Sequence, residues 1–428
     1  MQKVSVPYYK TTMEFELADD LEIVELNINP CEPIADFDKA VDEALANPIG
    51  CRPIPELVKP GQTAAVIISD MTRASYRTDR YLSKILDQLN AGGIPDENIT
   101  VVIACGYHAA ATEEEKRILA GDDAYRRVKI ESHDCHAEDL VSYGKTVRGN
   151  DVYINRTVAE ADHVILTGGI CYHTFAGFGG GRKSIAPGVA GASTIEGNHQ
   201  NCFSRTTRYE IYEKATSGYL EGNPVSEEMF EIAEMVGPSF LVNVIVDDHG
   251  NFVGLVAGDW KEAYYEGVEQ IKKIYGIEMH ETFDAAILSN GGYPKDISLF
   301  QSVKGLHNAC FVMNPGSSVV LCADCFDGLG PDGYRKGFTD FDGYEALWDA
   351  QSRHYDPEMA ISLLTMRYLQ KISKVYLISS LPDEDVILAG MIPVKTPQEA
   401  WERICADKPD LKKVMVLPCG ALTCPILT

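Results

Sequence analysis

No stretch of this 428-residue chain approaches the ~18 consecutive apolar residues of a membrane-spanning helix, and its opening, MQKVSVPYYK, lacks the apolar core of a secretory signal. Neither membrane insertion nor export is expected, and the expected location is cytoplasmic. Cations are scarce: 38 Lys and Arg stand against 63 Asp and Glu, a formal charge of −25. Bulk attraction to nucleic acid or to an anionic membrane is therefore excluded, and any anionic ligand must be met by locally placed cations. No strand-like run leads into G-x-G-x-x-G with an acidic residue further on, which opposes a nicotinamide-dependent 2-hydroxyacid dehydrogenase. The twelve cysteines are irregularly spaced, as reduced thiols are. Cys322 and Cys325 form a CxxC, but Cys419 and Cys424 are a poor second pair for structural zinc. Internal repeats and low-complexity linkers are also missing.

What is present reads as a soluble globular chain, 45% hydrophobic and 24% charged, too long for one ordinary core. Short Val/Ile-rich runs recur: TAAVIISD, ITVVIACG and DHVILTGG in the first half, then SFLVNVIVDD, FDAAILSNGG, SSVVLCAD, KVYLISS and KKVMVLPCG. Each reads as a buried strand, and amphipathic helical segments such as TDRYLSKILDQLNAGG and TEEEKRILAG alternate with them. Asp248 to Gly250 suggest a hairpin turn into NFVGLVAGD. The expected fold is α/β, two lobes with mainly parallel sheets and the active site in the cleft between them. The boundary falls near 275: residues 1–275 form the first domain, 276–407 the second, and a tail of about 408–428 packs back on the first.

Several polar residues sit just beyond the carboxyl ends of expected strands, where open parallel sheets bind ligands. They are Asp70, Thr72 and Arg73 after the first, His108 after the second and His173 after the third. His108 and His173 follow glycines that free the backbone to turn, whereas His133, His136, His163 and His354 lie in helical or loop segments and read as structural or solvent-facing. The richest stretch, His173 to His199, places Gly177, Gly179, Gly180 and Gly181 before Arg182, Lys183 and Ser184. As a phosphate loop it nearly fits G-x-x-x-x-G-K-[ST], but Arg182 replaces the last glycine and Pro187 interrupts the helix that should follow. A flexible glycine loop with a surface lysine is the plainer alternative.

Taken with the residues around it, the segment FAGFGGGRKSIAPGVAG between His173 and His199 resembles the signature of the nickel-pincer-dependent lactate racemase family. The resemblance extends to DMTR at Asp70 to Arg73, GYH at Gly106 to His108, GNPV at Gly222 to Val225 and GGYPKDISLFQSVKG at Gly291 to Gly305. It implies a cytoplasmic racemase or epimerase of lactate or another small 2-hydroxy acid. The cofactor implied is the nickel-pincer nucleotide, a pyridinium-3-thioamide-5-thiocarboxylic acid mononucleotide made by dedicated cofactor-building enzymes. By resemblance, Lys183 bonds covalently to one arm of it and His199 is the nickel ligand. Asp70, Thr72, Arg73, Gly180 and Arg182 line its site. His108 and His173 are the implied acid/base pair, moving the hydroxyl proton while hydride passes to and from the cofactor through a 2-keto acid. Arg73, Gln301 and Lys304 are the implied substrate contacts, Arg73 because its fork pairs a carboxylate twice.

Two segments depart from the family pattern. Ala74, Ser75 and Tyr76 stand where a proline-containing turn is usual, and Met366 to Lys371 differ as well. Besides the dehydrogenase, a non-catalytic carrier of the cofactor is a competing reading, opposed by the presence of both His108 and His173. A zinc hydrolase built on His173 and His199 lacks HExxH-like spacing and an obvious third ligand.

Overall fold

In the computed structural model, residues 1–247 and 249–428 are described; Asp248, part of the expected hairpin turn, lies outside the described residues. The chain divides into two compact units, one from Cys31–Ser204 and Ile211–Lys272, the other from Met1–Pro30, Arg205–Glu210 and Lys273–Thr428.

The first of these units is built on a six-stranded sheet. Phe240–Val246, His163–Gly169, Ala64–Ser69, Ile99–Ala104 and Lys129–Ser132 lie side by side and parallel, and Phe252–Gly258 adds an antiparallel edge. These strands need apolar residues on both faces because helices cover both, and Ala65, Val66, Ile67 and Ile68 are accordingly fully buried. Helix Leu82–Ala91 packs Leu82, Ile85, Leu86 and Leu89 inward. Helix Glu113–Arg127 starts at a capping box of Thr112 and Glu115 and is broken at Gly121, the glycine that ends the TEEEKRILAG segment. Gly121 takes φ of 78°, outside the helical range, and separates two helical segments. From Ala64–Ser69 the chain winds outward to Ile99–Ala104 and Lys129–Ser132, then returns to the opposite flank at His163–Gly169. Winding reverses there, which opens a crevice at the carboxyl ends of Ala64–Ser69 and His163–Gly169.

The other unit holds a second six-stranded sheet, parallel throughout: Ile392–Val394, Ile372–Ile378, Met313–Cys322, Phe283–Ser289, Lys413–Leu417 and Glu22–Glu25. Two expectations about the boundaries are corrected here. Residues 1–30 belong with this unit, because Glu22–Glu25 pairs with Lys413–Leu417 and the hairpin of Gln2–Tyr8 and Thr11–Leu17 buries Val4, Val6, Phe15 and Leu17 beside Trp401 and Ile404. Nor does the tail fold back on the other unit. Lys413–Leu417 lies between Phe283–Ser289 and Glu22–Glu25, and Cys424–Leu427 pairs with Gly276–Met279. Alternation of apolar residues announces that such strands have a buried face, but not which sheet receives it.

Candidate active site

The crevice of the first unit gathers most of the residues singled out in the sequence. Asp70 follows Ala64–Ser69 directly, is buried, and grips the ring of His108, whose Nδ1 hydrogen-bonds its Oδ2. The Thr72 hydroxyl donates to Asp70 Oδ1 over 2.7 Å, and Arg73 Nη1 reaches the same oxygen at 3.3 Å. Burial alone would raise the Asp70 pKa, but the bonds from His108 and Thr72 and the charge of Arg73 outweigh it and hold the group below the usual carboxylate range. A carboxylate only accepts, so His108 carries its proton on Nδ1 and keeps a lone pair on Nε2. Asp70 thus serves His108, and the exposed Thr72 braces Asp70. Arg73 and His108 stay roughly half exposed. Beside His108, the Tyr107 hydroxyl lies 2.7 Å from Glu196 Oε1, which ties the GYH turn to helix Ala192–His199.

After His163–Gly169 the chain makes a small hairpin, Tyr172–His173 against Gly177–Phe178, and then a 3-10 turn over Gly181–Ser184. Gly177 is required, since φ is +74° and a Cβ would stand 2.0 Å from the Tyr219 carbonyl oxygen. The hairpin folds His173 back onto Lys183, with Nε2 and Nζ 2.8 Å apart. His173 Nδ1 accepts from the backbone N–H groups of Phe175 at 3.3 Å and Ala176 at 3.2 Å. The ring proton of neutral His173 therefore sits on Nε2 and points at Lys183, and only an uncharged amine has a lone pair to receive it. Electrostatics agree: burial, then the charges of Arg73 and Arg182, hold Lys183 well below the usual lysine range. His173 is likewise held well below its ordinary value, chiefly by burial, with the Arg73 and Arg182 charges acting in the same direction.

His199 ends helix Ala192–His199 and is buried. Its Nδ1 lies 2.9 Å from the Ile195 carbonyl oxygen, so it donates there and the lone pair resides on Nε2. Burial pushes its pKa down to about 4, so the ring is neutral at cell pH. Lys183, His173 and His199 thus form one neighbourhood of buried bases, all held below their ordinary pKa ranges.

Arg182, expected on the cofactor, is instead turned inward. It is fully buried, with Nη1 donating to the Phe178 carbonyl at 3.2 Å and to the Tyr264 hydroxyl, and Nη2 to the Ala176 carbonyl at 2.7 Å and Ser226 Oγ at 2.9 Å. Its guanidinium also lies 4.8 Å from the Phe230 ring centre. Gly180, at φ of +74°, lets the turn lie against Gly169 and Asn243, whose atoms a Cβ would meet at 2.9 and 2.8 Å. Sequence reasoning missed Asn243, Tyr264 and Ser226, which hold this turn from distant strands and helices and carry no local signal. The GNPV segment proves to be a helix start: Asn223 caps Val225 and Ser226, Pro224 takes the first turn, and Asn223 Nδ2 donates to the Phe175 carbonyl at 2.8 Å. Of the unusual Ala74–Tyr76 segment, Tyr76 packs under Gly169, where a Cβ would strike its ring at 2.4 Å, and its hydroxyl lies 3.4 Å from Cys171 Sγ.

Gln301 and Lys304 belong to the other unit, on helix Leu299–Ala309, where Lys304 Nζ donates to Gln301 Oε1 at 2.6 Å. His133 and His163 are structural: His133 is buried with Nε2 2.9 Å from the Ala190 carbonyl, and His163 begins a strand and sits between Ser239 and Gln62. Cys322 and Cys325 are buried, with thiol pKa values pushed up by burial.

The first unit is thus an α/β unit whose switch-point crevice gathers a lysine amine and imidazoles, the groups of an acid/base site. The chain belongs to the lactate racemase family: residues 8–210 match the lactate racemase N-terminal domain and residues 279–423 the lactate racemase C-terminal domain. The lactate racemase of Lactiplantibacillus plantarum is 30% identical over 428 residues, covering 98% of this chain and 99% of its own. That of Thermoanaerobacterium thermosaccharolyticum is 30% identical over 79% of this chain and 78% of its own. The structure of the lactate racemase apoprotein from the same organism superposes with a TM-score of 0.87 at 28% identity, over 99% of this chain and 100% of that one. A Thermotoga maritima protein at 15% identity and TM-score 0.64 shares the fold.

Proposed function

We propose that this protein racemises a small 2-hydroxy acid, lactate first among the candidates, on a nickel-pincer nucleotide held by Lys183 and His199. The observation that carries the reading is the 2.8 Å approach of Lys183 Nζ to His173 Nε2, a ring whose Nδ1 already accepts from the Phe175 and Ala176 amides, with buried His199 nearby.

The donor set suits such a cofactor. An uncharged lysine amine can be acylated, and an imidazole with its lone pair on Nε2 is a good ligand for nickel in a planar site. Among the described residues no three His, Cys, Asp or Glu side chains form a metal cage, so a metal at His199 would take its remaining donors from the cofactor. Gly180 keeps side-chain bulk away from the turn, and Arg182 holds that turn rigid from behind. When bound, the cofactor would supply the hydride acceptor that a carbinol C–H, too weakly acidic for a simple base, requires.

The chain's own residues would manage the proton. His108 Nε2 takes the substrate hydroxyl proton, and Asp70, bonded to Nδ1, orients the ring and stabilises the imidazolium. His173, oriented by the amides of Phe175 and Ala176, is the second acid/base group, for the opposite face. Arg73 pairs with the substrate carboxylate.

Co-expression with the cofactor-building enzymes and nickel, followed by intact-mass measurement, tests this reading. Wild type should gain the cofactor's mass and interconvert enantiomers of at least one 2-hydroxy acid, and Lys183→Ala should gain nothing. His108→Ala and His173→Ala should keep the mass and lose turnover. A wild type that never gains mass overturns the cofactor assignment, and one that gains it but racemises no acid in a broad panel is a carrier.

A further inference from the structure

Glu228 is 1% exposed on helix Pro224–Val236. No Lys, Arg or His ion pair reaches it among the described residues; its four partners are all neutral. Oε1 accepts from the Thr146 hydroxyl at 2.8 Å, and Oε2 accepts from the side-chain amides of Asn201 at 2.8 Å, Asn198 at 3.0 Å and Asn150 at 3.3 Å. A buried carboxylate without a cation is expensive unless hydrogen bonds saturate it, so its retention here calls for a reason. An amide in its place would offer one acceptor oxygen and two N–H groups to four partners that all present hydrogens. Only the carboxylate satisfies them together.

One of those partners holds the helix of His199, and two others flank His199 in the chain. Asn198 precedes it on helix Ala192–His199, and Asn201 follows in the 3-10 turn Gln200–Cys202. Asn150 also donates to the Thr194 carbonyl of that helix at 2.9 Å. The helix that carries Glu228 further holds the lysine turn, since Ser226, two positions earlier, accepts from Arg182 and Asn223 anchors the loop at Phe175. A single rigid rod therefore fixes Lys183 through Ser226 and Arg182, and His199 through Glu228 and its asparagines.

We infer that Glu228 is a positioning residue that sets the place of the His199 imidazole relative to Lys183, and so governs how firmly His199 would hold a metal. This rests on the proposed function, in which those two residues hold the cofactor. Residues that orient a metal ligand typically contribute 10- to 100-fold to metal affinity.

The test compares wild type, Glu228→Gln and Asn201→Ala, each co-expressed with the cofactor-building enzymes and nickel. Cofactor attachment is read by intact mass, and nickel release into a chelator by absorbance and metal analysis. Glu228→Gln should carry the cofactor mass as wild type does yet release nickel about ten-fold faster or more, with Asn201→Ala intermediate. A merely structural role would lower attachment, nickel retention and thermal stability together. If Glu228→Gln retains nickel like wild type, the inference is overturned. Should Glu228→Gln fail to fold, Asn201→Ala decides, and wild-type release kinetics in it would refute the inference. Absence of cofactor mass on wild type would instead refute the proposed function.

Discussion

Asp70 and His108 stand 38 positions apart and meet because two neighbouring parallel strands, Ala64–Ser69 and Ile99–Ala104, deliver them to the same sheet edge. The aspartate is buried and ionised, so its removal leaves the imidazole without the group that fixes its tautomer. Asp70→Asn is expected to lower kcat by about 10²–10⁴-fold, the range of general acid–base contributions, with KM little changed. A loss confined to KM would argue that Asp70 acts on binding instead. At Lys183 the expectation concerns reactivity. A lysine held well below its usual range is largely amine at pH 7, so in the apoprotein it should react with an acylating reagent ahead of the exposed lysines. Peptide mapping by mass spectrometry measures this, and preferential labelling of exposed lysines at pH 7 would contradict an uncharged amine.

Elements matter through the turns that join them. The hairpin that brings His173 to Lys183 depends on Gly177, where a side chain meets both an unfavourable φ and the Tyr219 backbone. Gly177→Ala should cost about 1–3 kcal/mol in urea unfolding and reduce cofactor attachment, because the His173 loop cannot close. The start of helix Pro224–Val236 is a second such point. Asn223 caps the helix and binds the Phe175 and Tyr219 carbonyls, at 2.8 and 3.0 Å. Asn223→Ala should therefore exceed the roughly 1 kcal/mol of an ordinary lost cap, and a smaller change would show the loop to be held by other means.

At the scale of the molecule, buried neutral histidines set the response to acid. His199 titrates at about 4, His307 at about 3 beside Tyr368 and the charge of Arg367, and His173 is also depressed. Unfolded histidine titrates near 6.5, so as pH falls below that value the unfolded chain binds protons that the native one refuses. Stability should be full above pH 6.5 and fall steadily toward pH 4. Asp70 acts in the same direction at lower pH: its folded pKa is depressed, so its stabilising contribution is present above the unfolded carboxyl value of about 3.9 and is lost as pH falls below it. Chemical unfolding from pH 8 to 4.5 measures the slope, and His307→Gln should flatten it. An unchanged slope would mean that His307 is protonated in the native state.

Apolar periodicity was enough to read an α/β chain with parallel strands, because a strand covered on both faces must be apolar nearly throughout. Glycine placement around His108, His173 and Lys183 marked the crevice, because backbone that turns sharply at a strand end needs such residues. Other features lay outside its reach. The pairing of Glu22–Glu25 with Lys413–Leu417, the inward turn of Arg182, the grip of Asp70 on His108 and the asparagine cradle of Glu228 all join residues far apart in the chain. Local sequence dictates which backbone a segment prefers and which face it must hide. Which distant group satisfies a buried charge or an open strand edge is decided only when the sheets assemble, because many partners of equal local propensity compete for it.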